Sequence, residues 1–241
     1  RKREILFFLL ILSITTFFYI FGSISVENFK KEKNVDSDYK IRVISSNISL
    51  KRYYSNLDPS LIIEELIEIS EPKENEKTIF IWPEGIIPTH QDNLDKYKNL
   101  FSEKFNKNHL IVLGINRIKN ENQISKVFNS IAVYDNEINL LDSYDKINLV
   151  PFGEFLPMEN FLKRIGLRSL TNNYQSFSNG DRRNIIDFSE KNFSLRILPL
   201  ICYEIIYSGK LFMTTDFDLI INISEDGWFG KSIGPKQHFV H

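Results

Sequence analysis

Three short segments of the chain each place a reactive side chain directly after an apolar run. Glu84 follows the run TIFIW with one proline between, Lys146 follows a second strand-like pattern, and Cys202 follows the run RILPLI. The carboxyl ends of strands are where α/β sheets expose catalytic groups. A carboxylate, an ammonium and a thiol brought together there form a nucleophilic site. The carboxylate accepts the thiol proton, the thiolate attacks an acyl carbon, and the ammonium stabilises the oxyanion.

Each of these side chains also has a plainer structural interpretation. A single cysteine behind an apolar strand is most often an inert core residue. Glu84 could be a solvated loop carboxylate, and Lys146 lies in a charged stretch where a surface lysine is common. Spacing alone therefore leaves both interpretations open.

The elements that must position these residues alternate between strand and helix patterns. Asp58 and Pro59 predict the N-cap and first position of a helix. Asp135 and Asn136 predict the turn of a hairpin. The apolar or alternating runs typical of strands cover residues 40–46, 78–82, 110–115, 128–134, 138–143, 196–201 and 219–223. The alternation predicts an α/β domain with a mixed sheet.

Composition narrows the function classes. The chain has 241 residues, 30 Lys+Arg against 31 Asp+Glu, and a formal net charge of −1, so no overall basic field exists to bind nucleic acid. Its one cysteine excludes an internal disulfide and a Cys-rich metal site. His238 and His241 are three residues apart, but no third ligand accompanies them, so we expect no metal and no cofactor.

The N-terminal segment is different from the rest. No charged residue occurs between Ile5 and Val26, and the apolar run approaches the length that a membrane-spanning helix needs. Basic residues precede it, so the positive-inside rule predicts a cytoplasmic N-terminus and an exported remainder. A signal peptide cleaved near Ser23 or Ser25 and a buried core helix are the alternatives.

These patterns divide the chain into three parts. We expect a transmembrane helix at residues 1–26, a charged linker at 27–40, and a catalytic domain at 41–241. The chain begins at Arg1 instead of Met and stops at His241, so we expect a fragment truncated at its C-terminus.

Several longer phrases resemble the nitrilase, or carbon–nitrogen hydrolase, superfamily, whose catalytic set is Glu, Lys and Cys. The phrases WPEG, YDKINLVPFGEFLP, CYEIIY, WFG and GPKQHF occur in family order. They are most similar to the apolipoprotein N-acyltransferase branch. Two positions after Cys202 this chain has Glu204, as in that branch, whereas soluble amidases more usually carry an aspartate there. The resemblance implies an αββα sandwich attached to a membrane helix.

The resemblance also implies residue roles. Glu84 corresponds to the general base, Lys146 to the residue that holds the oxyanion, and Cys202 to the nucleophile that carries the acyl chain as a thioester. The supporting residues are a second glutamate, the pair after the nucleophile and an aromatic residue at the mouth of the site: Glu154, Tyr203, Glu204 and Trp228. The backbone N–H of Tyr203 is expected to donate to the oxyanion. One departure is Glu225-Asp226-Gly227, where the family usually has Asn-Asp before the small residue.

The function implied is transfer of a fatty acyl chain from a phospholipid to the N-terminal diacylglyceryl-cysteine amine of an apolipoprotein, without a cofactor. The expected location is the bacterial inner membrane, with the catalytic domain in the periplasm. A nitrilase-type amidohydrolase acting on small amides is the first alternative, because the same triad serves both reactions and only the acceptor differs. A non-catalytic exported binding domain is the second.

Overall fold

The computed structural model describes residues 2–31, 37–55, 57–121, 124–158, 164, 176–190, 193–207 and 216–240. It divides the chain into two compact units, Arg1–Asp38 and Tyr39–His241. The first contains helix α1 (Lys2–Lys31), which is long and apolar enough to cross a membrane and buries none of its residues. The helix continues past Val26, so part of the stretch predicted as a linker is helical.

The second unit contains two mixed sheets. The first has the order β1 (Lys40–Val43), β2 (Thr78–Ile81), β3 (His109–Glu121), β4 (Ile124–Tyr134) and β5 (Leu140–Asp145). Its first three strands are parallel, and β3, β4 and β5 are antiparallel. The second sheet has the order β6 (Ile186–Glu190), β7 (Phe193–Ile201) and β8 (Leu219–Ile223), with β7 and β8 parallel. The predicted α/β class with mixed pairing is therefore confirmed.

Helices cover one face of the first sheet. Helix α2 (Pro59–Ser70) begins where Asp58 accepts a hydrogen bond from the Ser60 N–H, as the N-cap prediction required. Helix α3 (Lys98–Ser102) is short, and α4 (Gly234–Val240) lies near the end of the chain. Ile63 and Leu66 of α2 belong to a buried cluster with Phe80 and Trp82 on the outer face of the sheet.

The opposite face of the first sheet packs against the second sheet. Ile79 and Ile81 alternate with Phe80 and Trp82 along the chain, so their side chains leave β2 on the other side. They belong to a second buried cluster that includes Cys202 and residues of β6, β7 and β8. Helix layer, sheet and sheet are thus stacked, and the predicted helical layer outside the second sheet lies beyond the described residues.

Three strand predictions were too short: the runs at 110–115, 128–134 and 196–201 lie within the longer strands β3, β4 and β7. The run at 110–115 belongs to the much longer β3, which pairs with β4 as a hairpin out to Glu121 and Ile124. The polar alternation in this outer part carries little hydrophobic signal, and pairing within the hairpin supplies the hydrogen bonds instead. Strand β6 was missed altogether. The hairpin at Asp135 is confirmed, with Asp135 accepting from the N–H groups of Glu137 and Asn139.

Candidate active site

The structure brings Glu84, Lys146 and Cys202 to one cavity of about 580 Å³. Glu84 lies two residues beyond Trp82 after β2, Lys146 directly follows β5, and Cys202 directly follows β7. Strand ends from both sheets therefore meet at the same place, as the sequence predicted. The supporting residues Glu154 and Trp228 also line the cavity, whereas Tyr203 and Glu204 do not.

Lys146 is an almost completely buried cation, with only 1% of its side chain exposed. Its Nζ lies 2.8 Å from Glu154 Oε2 and 3.8 Å from Glu84 Oε1. Burial alone would lower the pKa of Lys146, but the charges of Glu84, Glu154 and Cys202 outweigh it and raise that pKa. The surface-lysine interpretation is wrong, and the ammonium stays charged between two carboxylates.

Glu84 is held by donors on both of its oxygens. Asn129 Nδ2 donates to Glu84 Oε1 at 2.7 Å, and the backbone N–H of Glu225 donates to Oε2 at 3.0 Å. Burial raises the pKa of Glu84, against the lowering effects of Lys146 and Asn129. The carboxylate is therefore a fixed and stronger base than a solvated glutamate, and the solvated-loop interpretation is wrong.

Close backbone packing places Glu84 at this point. Gly114 of β3 lies under the turn that carries Glu84, and a Cβ on Gly114 would come within 2.5 Å of Glu84 Cα. Only glycine leaves room for that approach without displacing the backbone. Gly85 itself has φ +52°, a left-handed conformation that glycine adopts at no steric cost.

Asn129 is a site residue that sequence reasoning missed. Its Nδ2 donates to Glu84 Oε1 and to Glu154 Oε1, both at 2.7 Å, so one amide joins the two carboxylates. A polar amide between the apolar residues Phe128 and Ile131 of β4 was the available signal, because buried polar groups in strands need partners.

Cys202 begins a 3₁₀ turn, Cys202–Ile206, and has φ +54°, an uncommon conformation for a residue with a side chain. Burial and the Glu84 charge raise the pKa of the thiol to about 12, while Lys146, Ser224 and the Tyr203 backbone act in the opposite direction. The resting nucleophile is thus a neutral thiol beside a carboxylate base.

Glu204 connects the segment that follows Lys146 to the segment that carries Cys202. Its fully buried carboxylate accepts hydrogen bonds from Tyr144 Oη at 2.8 Å, from the N–H groups of Ile147 and Asn148, and from the Ile201 N–H. Arg183 lies 3.1 Å away and neutralises it. Glu204 therefore fixes the positions of the segments that carry Lys146 and Cys202 and does not face the cavity.

Trp228 stands at the mouth of the cavity with 53% of its surface exposed. Its ring stacks on Tyr53 at a centroid distance of 5.2 Å, and Tyr53 in turn donates a short hydrogen bond to the Gly85 carbonyl. An aromatic, partly exposed rim suits an apolar substrate that enters from outside.

The Glu225-Asp226-Gly227 departure has a structural account. Glu225 caps the 3₁₀ turn Asp226–Phe229 by accepting from the Gly227 N–H, and its carboxylate forms a short ion pair with buried Arg52. The longer side chain thereby fixes the backbone whose N–H donates to Glu84. Among the described residues, no group of His, Cys, Asp and Glu has the geometry of a metal site.

Comparison with known proteins agrees with this fold. A family model described as carbon-nitrogen hydrolase matches residues 59–241. The chain belongs to the carbon–nitrogen hydrolase family, and the predicted nitrilase-type α/β fold is confirmed.

Curated relatives of this chain are named apolipoprotein N-acyltransferase. An apolipoprotein N-acyltransferase of Wigglesworthia glossinidia brevipalpis is 33% identical over 98% of this chain and 45% of its own length. One from Brucella suis biovar 1 is 28% identical over 83% of this chain and 38% of its own length. The chain thus spans less than half the length of these relatives. Among solved structures, an amidase of Nesterenkonia AN1 from the nitrilase superfamily is similar at 12% identity and a TM-score of 0.48, over 85% of this chain and 73% of its own.

Proposed function

We propose that this chain carries the catalytic part of an N-acyltransferase that modifies apolipoproteins. The observation that carries the proposal is the meeting of Glu84, Lys146 and Cys202 in one cavity, in a chain similar to proteins named apolipoprotein N-acyltransferase. The acyl donor is a membrane phospholipid, and the acceptor is the free amine of an N-terminal diacylglyceryl-cysteine.

The first half-reaction forms a thioester. Glu84 accepts the Cys202 proton as the sulfur attacks the ester carbonyl carbon of the phospholipid. The oxyanion is stabilised by the Lys146 ammonium, which has three N–H donors and is held by Glu154, and by the Tyr203 N–H. Collapse expels the lysophospholipid alkoxide, which takes the proton from Glu84 and leaves the acyl group on sulfur.

The second half-reaction forms the amide. The apolipoprotein amine attacks the thioester carbon, Glu84 accepts a proton from the nitrogen, and the same donors hold the second oxyanion. Collapse breaks the carbon–sulfur bond, and the thiolate recovers its proton from Glu84. Splitting one difficult transfer into two steps through a thioester lowers both barriers.

The raised proton affinities support this use of the pair. The high pKa of the Cys202 thiol keeps it protonated at rest, and the raised pKa of Glu84 makes that carboxylate a better acceptor for the proton. Attack and proton transfer then occur together, so no free thiolate has to accumulate in the buried cavity.

The apolar helix α1 supports a membrane location. We propose that it crosses the bacterial inner membrane, with the basic residues before Ile5 on the cytoplasmic side and residues 41–241 as a periplasmic catalytic domain. Phospholipid donor and lipid-modified acceptor would then both reach the site from the bilayer.

The test is an acylation assay with the full-length protein in phospholipid vesicles. Supplied with a diacylglyceryl-cysteine peptide, the protein is expected to produce the N-acylated peptide and lysophospholipid in equal amounts. A Cys202→Ser variant serves as the matched control and is expected to produce neither. Release of free fatty acid or hydrolysis of small amides, without peptide acylation, would assign the protein to the amidohydrolases instead.

A further inference from the structure

His238 contacts the nucleophile from outside the triad. It lies on α4, is buried to 7% exposure, and its Nε2 is 3.0 Å from the backbone carbonyl oxygen of Cys202. Its ring stacks on the Tyr203 ring at 4.8 Å with an angle of 17° between the planes. One side chain therefore touches the two residues that flank a single peptide bond.

The orientation of the ring is fixed by its second nitrogen. His238 Nδ1 lies 2.8 Å from Asp226 Oδ1, and the Ser224 hydroxyl donates to the same oxygen at 2.7 Å. The Cys202 carbonyl can only accept, so Nε2 is the donor in that contact. The contact with Cys202 is thus an N–H···O=C hydrogen bond to the nucleophile's own backbone.

That carbonyl belongs to the peptide unit whose other end is the Tyr203 N–H. A trans peptide group is planar, with its C=O and N–H pointing in opposite directions, so holding the oxygen also aims the hydrogen. A hydrogen bond to the oxygen also polarises the peptide and strengthens the N–H as a donor. The Tyr203 N–H is the backbone group that acts to lower the pKa of the Cys202 thiol and that the proposed mechanism assigns to the oxyanion.

The conformation of Cys202 makes such a contact necessary. Its φ of +54° is sparsely populated for residues with side chains and persists where surrounding contacts hold it. Asn222 of β8 is a second donor to the same oxygen. When its side-chain NH₂ group faces the carbonyls of Leu200 and Cys202, Nδ2 lies 3.2 Å from the Cys202 oxygen. Donors from β8 and from α4 thus hold one carbonyl.

We propose that His238 is a positioning residue that orients and polarises the Cys202–Tyr203 peptide, so that its N–H forms one side of the oxyanion hole. The role rests on the proposed function, because it assigns a task within that acyl transfer. It acts on the charge that develops at the carbonyl oxygen and not on substrate binding, so its loss lowers kcat and leaves KM unchanged.

The experiment compares three variants of the full-length protein. His238→Phe keeps a ring against Tyr203 but removes the donor to the Cys202 carbonyl, and kcat is expected to fall roughly 10- to 100-fold, the scale of a small misplacement at a reacting centre. His238→Gln keeps an N–H donor for the Cys202 carbonyl and is expected to restore most of that loss. Equal kcat in wild type and His238→Phe, or no rescue by Gln, would overturn the proposal.

The matched control is His109→Phe. His109 is also buried, stacks edge-on with Phe80 and Phe105, and makes two hydrogen bonds, but it begins β3 at the opposite end of the parallel strands. The variant is expected to lower the melting temperature and to leave kcat unchanged. A parallel kcat loss in His109→Phe would show that the His238 effect is general destabilisation.

Alkylation of Cys202 by iodoacetamide separates this proposal from the proposed function. The reaction needs the thiol and its backbone environment but no lipid, and the Tyr203 N–H that favours the thiolate is misaimed in His238→Phe. Slower alkylation in His238→Phe, restored in His238→Gln, is expected even if the wild type acylates no peptide. That combination would refute the acyltransferase function and support the positioning role.

Discussion

The two sides of the cavity hold their reactive groups by different means. On the side of the first sheet, Glu84, Lys146 and Glu154 form a buried charge cluster joined by the Asn129 amide. On the side of the second sheet, Cys202 is held through its backbone, in a left-handed conformation. Charge fixes the proton acceptor, and backbone geometry fixes the nucleophile. Substitutions of the charged side chains on the first side should therefore change electrostatics, and those on the second side should change position.

The largest effect is expected for the base. Glu84→Gln removes the proton acceptor, so acyl-enzyme formation should fall by about 10²–10⁴-fold. The same change removes the negative charge that raises the pKa of Cys202, so alkylation of the thiol by iodoacetamide at neutral pH should become faster. Measuring both rates on one preparation checks the sign of each. Parallel losses would mean that Glu84 only supports the fold.

Lys146→Met is expected to be the next in size. Loss of an oxyanion donor costs about 10²–10³-fold in rate. Here alkylation should slow as well, because the ammonium lowers the pKa of Cys202 and the variant lacks that charge. The two variants therefore shift thiol alkylation in opposite directions. Alkylation that is unchanged in Lys146→Met would place the charge too far away to act.

Glu204→Leu tests the connection between the two sides. The substitution leaves Arg183 buried without its partner, which typically costs about 3–5 kcal/mol of stability. It also releases the N–H groups of Ile147 and Asn148. Thermal unfolding should show a large drop in melting temperature, with activity lost in proportion to the unfolded fraction. A wild-type melting temperature combined with an inactive enzyme would instead indicate a direct role in the chemistry.

Gly114→Ala is a steric test of the turn that carries Glu84. The new Cβ would collide with the backbone of Glu84 and Gly85, so the base should move and the rate should fall, by about 10²-fold for a shift near 1 Å. The new Cβ would also come within 2.8 Å of Ile223 Cδ1 on β8, but that atom is the end of a flexible side chain that can shift, so thiol alkylation should change less than acylation. Unimpaired acylation would show that the Glu84 turn relaxes without cost.

Sequence patterns predicted the elements that end at the site better than the contacts within it. The β8 bounds matched the prediction at 219–223, and the N-cap at Asp58 was correct, because both depend on local patterns. Asn129 and His238 were not identified as partners of the site. Their roles depend on contacts with residues far away in the chain, such as Asn129 with Glu84 and His238 with Cys202, which no local pattern encodes.

The central claim is that Cys202 carries the acyl chain. Intact-mass and peptide mass spectrometry of the full-length protein, purified from its membrane without an acceptor, tests it directly. The account predicts a fatty acyl mass on the peptide containing Cys202, released by neutral hydroxylamine and absent from Cys202→Ser. An unmodified Cys202 in protein that still transfers acyl chains to the diacylglyceryl-cysteine peptide would contradict the account.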